Sequence, residues 1–352
     1  MKNLSSGQQK ILLILLKDNQ SPSSFIHEKL LEAKESHSLL TTKRQLSLLL
    51  KEGCISSIGK GRAVKYELSV LGNLFLDINA TEYCSIEPDK RYGRSRFNFD
   101  LLESFPERIF NDKEIKDLEK ASLFFRKRSK DLPASILKRE IERFVVEFSW
   151  KSSKIEGNTY SLLDTEKLLL ENKVAKGKSF EETQMIINHK NVFDYVVNNL
   201  ADFKKITKKN LTEVHAILVE KLNIDKKFRE KPVGVMGSIY RPLDNKDQIQ
   251  KAIDDFIKVL NYLKSPYDKA LFILVFISYI QAFDDGNKRT ARVLAIATLL
   301  ANNLAPLSYR SVDEEDYKNA VLSFYELNSI IPLKTIFIDQ YIFASENYLF
   351  NN

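Results

Sequence analysis

The stretch QAFDDGNKRTAR, Gln281 to Arg292, joins the longest apolar run of the chain, Ala270 to Ile280, to a second helical pattern that begins near Asn287. A helix N-terminus leaves backbone N–H groups unpaired and carries the positive end of the helix dipole, and Gly286 lets backbone approach a ligand closely. Lys288, Arg289 and Arg292 add charge there, and Arg289 and Arg292, three apart, share one helix face. Arginine grips phosphate bidentately, and Asp285 just before the helix suits magnesium, which is usually held by one or two carboxylates plus substrate phosphates. The chemistry expected of this stretch is nucleotide phosphate binding.

The chain has neither a G-x-x-x-x-G-K-[ST] loop nor a G-x-G-x-x-G turn, which excludes the common phosphate folds. Instead, Phe283, Asp285, Gly286, Asn287, Lys288, Arg289 and Arg292 stand at the spacing H-x-F-x-[DE]-G-N-[GK]-R-x-x-R. In this the chain closely resembles the Fic/Fido family (filamentation induced by cAMP). The resemblance implies AMP transfer from ATP to a Ser, Thr or Tyr hydroxyl of a target protein. It assigns Mg²⁺ to Asp285, and the α- and β-phosphates to Gly286, Asn287, Lys288 and Arg289. Arg292 would take the γ-phosphate, and Phe283 would anchor the loop. A target-docking hairpin flap falls at Val233, Gly234, Val235, Met236, Gly237 and Ser238.

SSKIEGN, Ser152 to Asn158, is similar to the family's inhibitory motif at Ser152, Glu156 and Gly157, whose glutamate pairs with the last motif arginine. A Glu156 to Arg292 ion pair would compete with phosphate for one guanidinium. Glu-Gly-Asn is equally a common helix end.

One position departs from the pattern. The family's first residue is a histidine that accepts the target's proton, and here it is Gln281. An amide does not titrate near neutral pH, although it can hold a hydroxyl. Losing a general base typically costs about 10² to 10⁴ in rate, so impaired or altered AMP transfer is expected. Asp284 is adjacent, but the motif geometry points it elsewhere. His189 and His215 lie in amphipathic helices as packing residues. Lys288 occurs in relatives that move a phosphate instead, which leaves a phosphotransferase as a minor alternative.

Around the loop, amphipathic helical patterns follow one another from about Asn111 to the C-terminus, broken by FREKPVGVMGSIYRPLDN, which reads as a small hairpin. Ahead of them, QQKILLILLKD, SPSSFIHEKLLEA and TTKRQLSLLLKEG read as three helices. Ile55–Ile58 and Ala63–Leu68 then flank Gly59-Lys60-Gly61-Arg62 as a basic hairpin. This order resembles a winged helix-turn-helix, which implies DNA contacts through Lys43, Arg44, Lys60 and Arg62, with Thr41, Thr42 and Gln45 beside them. Residues 1–80 carry 11 Lys and Arg against 7 Asp and Glu, more than half of the chain's net +7. Winged helices also serve as protein-docking modules.

The expected division is a winged-helix domain at 1–80, a linker at 81–110 and a Fic domain at 111–350. The fold class is mostly α. The 352 residues, 43% of them hydrophobic, suffice for two cores, and the mildly basic balance suits an anionic partner without requiring one. The two cysteines make no disulfide framework, which points to a reducing, cytoplasmic setting. No apolar run reaches the roughly 20 residues of a bilayer span, so no membrane partner is expected. A DNA-binding nucleotide sensor without catalysis is the alternative function, and a homodimer is left open.

Overall fold

The computed structural model describes residues 4–35 and 38–350; the side chain of Arg62, an expected DNA contact, lies outside the described residues. The N-terminal segment runs α1 (Ser6–Asp18), β1 (Ser21–Pro22), α2 (Ser23–Glu32), α3 (Leu39–Lys51), β2 (Ile55–Ile58) and β3 (Lys65–Leu68). Ser5 opens α1 with a reciprocal capping box to Gln8, and Ser38 caps α3 at Thr41 N. The strands form one antiparallel sheet in the order β1-β3-β2, with Ile55 opposite Leu68 and Ile58 opposite Lys65. Gly61–Ala63 coil into a short 3₁₀ turn, so β3 starts at Lys65, two residues later than the alternation suggests. Ile11, Leu15, Ile26, Leu46, Leu49 and Ile55 pack into a small core of their own.

The expected linker does not behave as one. After α4 (Val70–Leu74), Leu74 and Phe75 already belong to the large core, and Tyr83, Leu101, Leu102, Phe105 and Phe110 are buried in the same body. Short helices α5 (Ala80–Ser85) and α6 (Asp100–Glu103) carry part of this stretch. Gly93 has φ +135°, and a Cβ there would lie 2.7 Å from the Glu326 carbonyl oxygen. The segment's polar first half gives no sign of this, because Tyr83 and Arg91 hold it through hydrogen bonds to Glu326, while Leu101, Leu102, Phe105 and Phe110 anchor the end nearest α7.

The rest of the chain is helical: α7 (Asp112–Ser129), α8 (Ala134–Ile155), α9 (Leu162–Glu171), α10 (Phe180–Asn198), α11 (Lys208–Leu218), α12 (Lys246–Tyr262), α13 (Pro266–Ile280), α14 (Asn287–Leu300), α15 (Glu314–Leu327) and α16 (Ile331–Asn347). Side-chain caps at Asn111, Ser179, Ser265 and Asp313 start α7, α10, α13 and α15. From Ala270 to Ile280, α13 is buried on every face, which is why its sequence is apolar without a stripe. It packs against α14, and α8, α10, α11 and α15 surround the pair.

The flap is the second correction. Val233–Ser238 forms no strand pair and turns at Met236-Gly237, where Gly237 has φ +73°. Pro232 supplies no N–H, and at the flap's two ends buried Arg229 and Glu326 take the Lys231 carbonyl and the Ile239 N–H.

Candidate functional site

The last turn of α13 delivers Gln281 in a left-handed conformation, φ +52°, uncommon for a residue with a side chain. Buried Arg229 holds it there: Arg229 Nε donates to the Gln281 carbonyl at 2.6 Å and its backbone N–H to the Ala282 carbonyl at 2.9 Å. The Gln281 amide is engaged at both ends. Its Nε2 donates to the Ser278 carbonyl (2.6 Å) and the Tyr325 hydroxyl (3.2 Å), and its Oε1 accepts from Asn287 Nδ2 (3.1 Å). Tyr325 donates in turn to Ser278, and burial pushes its hydroxyl well above the ordinary tyrosine value. It therefore stays protonated and supplies no base.

Asn287 braces the loop by bonding both the N–H and the carbonyl of Phe283, at 3.0 and 2.8 Å. The Phe283 ring stacks on His215, centroids 3.6 Å apart and planes within 4°. His215 Nε2 lies 2.9 Å from the Asp285 carbonyl, which only accepts, so this nitrogen carries the proton. Burial lowers the His215 pKa to about 4, which leaves the ring neutral at pH 7. Gly286, φ +82°, precedes α14 without a side-chain cap, and a Cβ there would come within 3.3 Å of Val219 and 3.4 Å of His215.

Arg289 and Arg292 are almost completely buried, and the NH1 group of each has no hydrogen-bond partner. Arg289 reaches Asp285 at 3.0 Å, whose carboxylate is otherwise largely open. Arg292 donates through Nε and NH2 to Ser152 Oγ and O, both 2.9 Å, and through NH2 to Glu156 Oε1 at 2.8 Å. The other Glu156 oxygen meets Lys288 Nζ at 3.0 Å. Burial alone would raise the Glu156 pKa, but Arg292 first and then Lys288 hold it down to about 2. Glu156 ends α8, and Gly157 turns the chain away at φ +96°.

Beside these groups lies a cavity of about 360 Å³, lined by Glu156, Gln281, Asp285, Lys288, Tyr317 and the flap residues Val233 to Met236. Asp284, expected to face elsewhere, lines it as well. Among the described residues no three His, Cys, Asp or Glu gather as a metal cage. The open Asp285 carboxylate next to a buried guanidinium and a helix N-terminus fits a magnesium ion that arrives with phosphates, rather than one held by protein alone.

Several residues at the site carried no local signal in the sequence. Arg229 ties the base of the flap, donating to Lys231 O at 2.7 Å and to Leu243 O. Fully buried Glu326 fixes its far end: it accepts from Ser238 Oγ (2.5 Å) and Ile239 N (3.2 Å) and pairs with Arg91 (3.3 Å), which donates to Gly237 O at 2.8 Å. Met236 at the flap's tip is 97% exposed. In the N-terminal segment Lys43, Arg44 and Lys60 are exposed, whereas Thr42 is buried against His27 and Gln45 is half-buried. Thr42 is therefore a packing residue rather than a contact.

A family model described as the Fic/DOC family matches residues 205–299. Among curated proteins, a protein adenylyltransferase Fic of Nematostella vectensis is 27% identical over 192 residues, 53% of this chain and 45% of the relative. One of Culex quinquefasciatus is 26% identical over 187 residues, 51% of this chain and 37% of the relative. The chain thus spans less than half the length of these relatives. Among solved structures, a Fic-1 fragment from C. elegans superposes with a TM-score of 0.59 at 19% identity, covering 67% of this chain and 72% of that one. A Fic family protein from Desulfovibrio desulfuricans G20 gives 0.57 at 18%, covering 69% and 76%. Residues 205–299 form a Fic/DOC family domain, and the helical body has the Fic fold.

Proposed function

We propose, with the Fic/DOC domain at residues 205–299 as the premise, that this chain binds Mg-ATP and is a protein adenylyltransferase of impaired activity, held back by Glu156. The observation that carries the reading is the pair of buried guanidinium groups, Arg289 and Arg292, each with an unsatisfied NH1, Arg289 beside the open Asp285 carboxylate and Arg292 held by Glu156. Buried donors without partners are rare and costly, and a polyphosphate satisfies them. The relatives named protein adenylyltransferase Fic support the same reading.

In this reading the α14 N-terminus and Arg289 hold the inner phosphates and Arg292 the outer one, once Glu156 leaves it. Asp285 would hold magnesium, which would neutralise phosphate charge. The target's hydroxyl oxygen forms the new bond to the α-phosphorus, the bond to the β-phosphate oxygen breaks, and pyrophosphate departs. The hydroxyl proton must go to a base. Gln281 holds a hydroxyl but takes no proton, and its amide is already bonded to Ser278, Tyr325 and Asn287. Transfer is therefore slow or absent. ATP labelled at the α-phosphate, offered to the chain and a lysate, tests this: protein label on Glu156→Gly/Gln281→His supports it, and failure of that variant even to bind ATP removes it.

A second reading is favoured by the exposure of Lys43, Arg44 and Lys60. Residues 1–80 would be a winged helix-turn-helix that binds DNA through α3 and the β2–β3 hairpin, with the Fic body, including residues 81–110, as a silent nucleotide sensor. Alanine at Lys43, Arg44 and Lys60 should then weaken DNA retention and lower its salt slope by about one for each phosphate no longer neutralised. No retention at low salt excludes it.

A further inference from the structure

Arg292 is seated by more than Glu156. Two of its nitrogens donate to Ser152, one of them to Oγ at 2.9 Å. Guanidinium N–H groups only donate, so Oγ accepts there, and the Ser152 hydroxyl hydrogen is free for another acceptor. That acceptor is His189 Nε2, 2.9 Å away on α10. The other ring nitrogen, Nδ1, lies 2.8 Å from the Met185 carbonyl, which only accepts. Nδ1 therefore carries the proton and Nε2 the lone pair.

Donation thus runs in one direction, from Arg292 to Ser152 to His189 to Met185, and Arg292, Ser152 and His189 are all buried. His189 is fully buried, packs edge-on against Phe148 with centroids 5.6 Å apart, and touches Ser153 Oγ at 3.3 Å. Ser152 and Glu156 are four residues apart at the end of α8, so the hold on one sets the place of the other. Lys151, paired with Glu314 of α15, fixes the opposite side of the same turn. A serine hydroxyl next to an imidazole also resembles a nucleophile with its base, but this pair is closed to solvent and its oxygen is occupied by Arg292.

We propose that His189 is the positioning residue of the Glu156 latch: by accepting the Ser152 hydroxyl hydrogen bond it seats the last turn of α8 against Arg292, which brings the Glu156 carboxylate onto the guanidinium. The proposal rests on the reading of the cavity as an ATP site. It makes the inhibitory contact a property of α10 as well as of α8 and α14. Loosening the His189 contact then favours nucleotide over the latch.

The test is calorimetric titration of the full chain with Mg-ATP. His189→Phe, which keeps the bulk and removes the acceptor, should bind about three- to tenfold tighter than wild type, the worth of one hydrogen bond. His189→Gln, whose amide offers an acceptor near Nε2, should stay near wild type. Added to Glu156→Gly, His189→Phe should change affinity less than about twofold, since no latch remains to loosen. A merely structural role would lower thermal stability in His189→Phe without tightening binding. If Glu156→Gly binds ATP while His189→Phe binds no tighter than wild type, the proposal is overturned and the ATP site stands. If Glu156→Gly binds no ATP, both fall. Should His189→Phe fail to fold, ¹⁵N imidazole resonances of the wild type decide: the neutral Nδ1–H tautomer is expected at pH 7, and the Nε2–H tautomer would overturn the proposal.

Discussion

Glu156 and Arg292, 136 residues apart in sequence, meet at 2.8 Å with the arginine fully buried, while the second carboxylate oxygen takes Lys288 at 3.0 Å. One side chain thus engages two of the cations expected to meet a triphosphate. An ionised carboxylate and a phosphate oxygen present the same acceptor to a guanidinium, so the two are mutually exclusive at NH2.

Replacing Gln281 by histidine should restore a proton acceptor where the loop presents an amide. In the Glu156→Gly background, Gln281→His should raise AMP transfer by about 10² to 10⁴. Initial rates with α-labelled ATP measure this; equal rates in the two variants would place the catalytic defect elsewhere.

Acid should destabilise the fold in a defined window. Burial lowers His189 to about 3 and His215 to about 4, from 6.5. Between those values and 6.5 the unfolded chain binds protons that the folded chain refuses, so stability falls as pH falls. The slope is at most about 1.4 kcal/mol per pH unit for each histidine. Glu156, held at about 2, acts in the same direction lower down: its contribution is present above about 4.5 and is lost as pH falls towards 2. Thermal midpoints from pH 7 to 4.5 should therefore drop, and His215→Gln should flatten the drop. A flat wild-type profile would contradict the buried neutral imidazoles.

Gly286→Ala should damage both fold and site. The added Cβ meets Val219 at 3.3 Å and His215 at 3.4 Å, at φ +82° where a side chain costs about 1–2 kcal/mol. A lower thermal midpoint with lost ATP binding is expected, and an unchanged nucleotide affinity would show that the backbone here does not meet phosphate.

Arg91→Ala should loosen the flap. Glu326, with a fully buried carboxylate, would lose its cation, a change that costs about 3–5 kcal/mol in comparable buried pairs. Hydrogen exchange should accelerate across residues 233–240 more than in α13. Uniform acceleration would mean that the pair supports the fold at large rather than the flap.

What was legible in the sequence is what local chemistry encodes. The loop from Phe283 to Arg292 carries its own spacing, and capped helices such as α7, α10 and α15 announce themselves at Asn111, Ser179 and Asp313. Glu156 lies within hydrogen-bond distance of Arg292, and Ser152, which the sequence offered only as a motif match, bonds it too. The rest depends on partners far along the chain. Arg229, Glu326 and His189 look like ordinary helix or loop residues until Gln281, the flap and Ser152 arrive beside them. The stretch at 81–110 reads as polar linker because its attachment uses Arg91 and Tyr83 bonded to Glu326. The flap reads as a hairpin because alternation in Val233, Val235 and Ile239 does not reveal that Glu326, 87 residues on, takes the Ile239 N–H. Helix α16 shows no clear stripe because its one buried face includes Lys334, Gln340 and Ser345, while apolar Ile336, Ile338 and Phe343 lie off it.

Titration of Mg-ATP into wild-type chain and Glu156→Gly, followed by calorimetry, reaches the centre of this account. Freeing Arg292 and Lys288 from one carboxylate should tighten binding at least about tenfold, the equivalent of 1.4 kcal/mol. Absence of binding in both proteins, or equal affinity in the two, would contradict it.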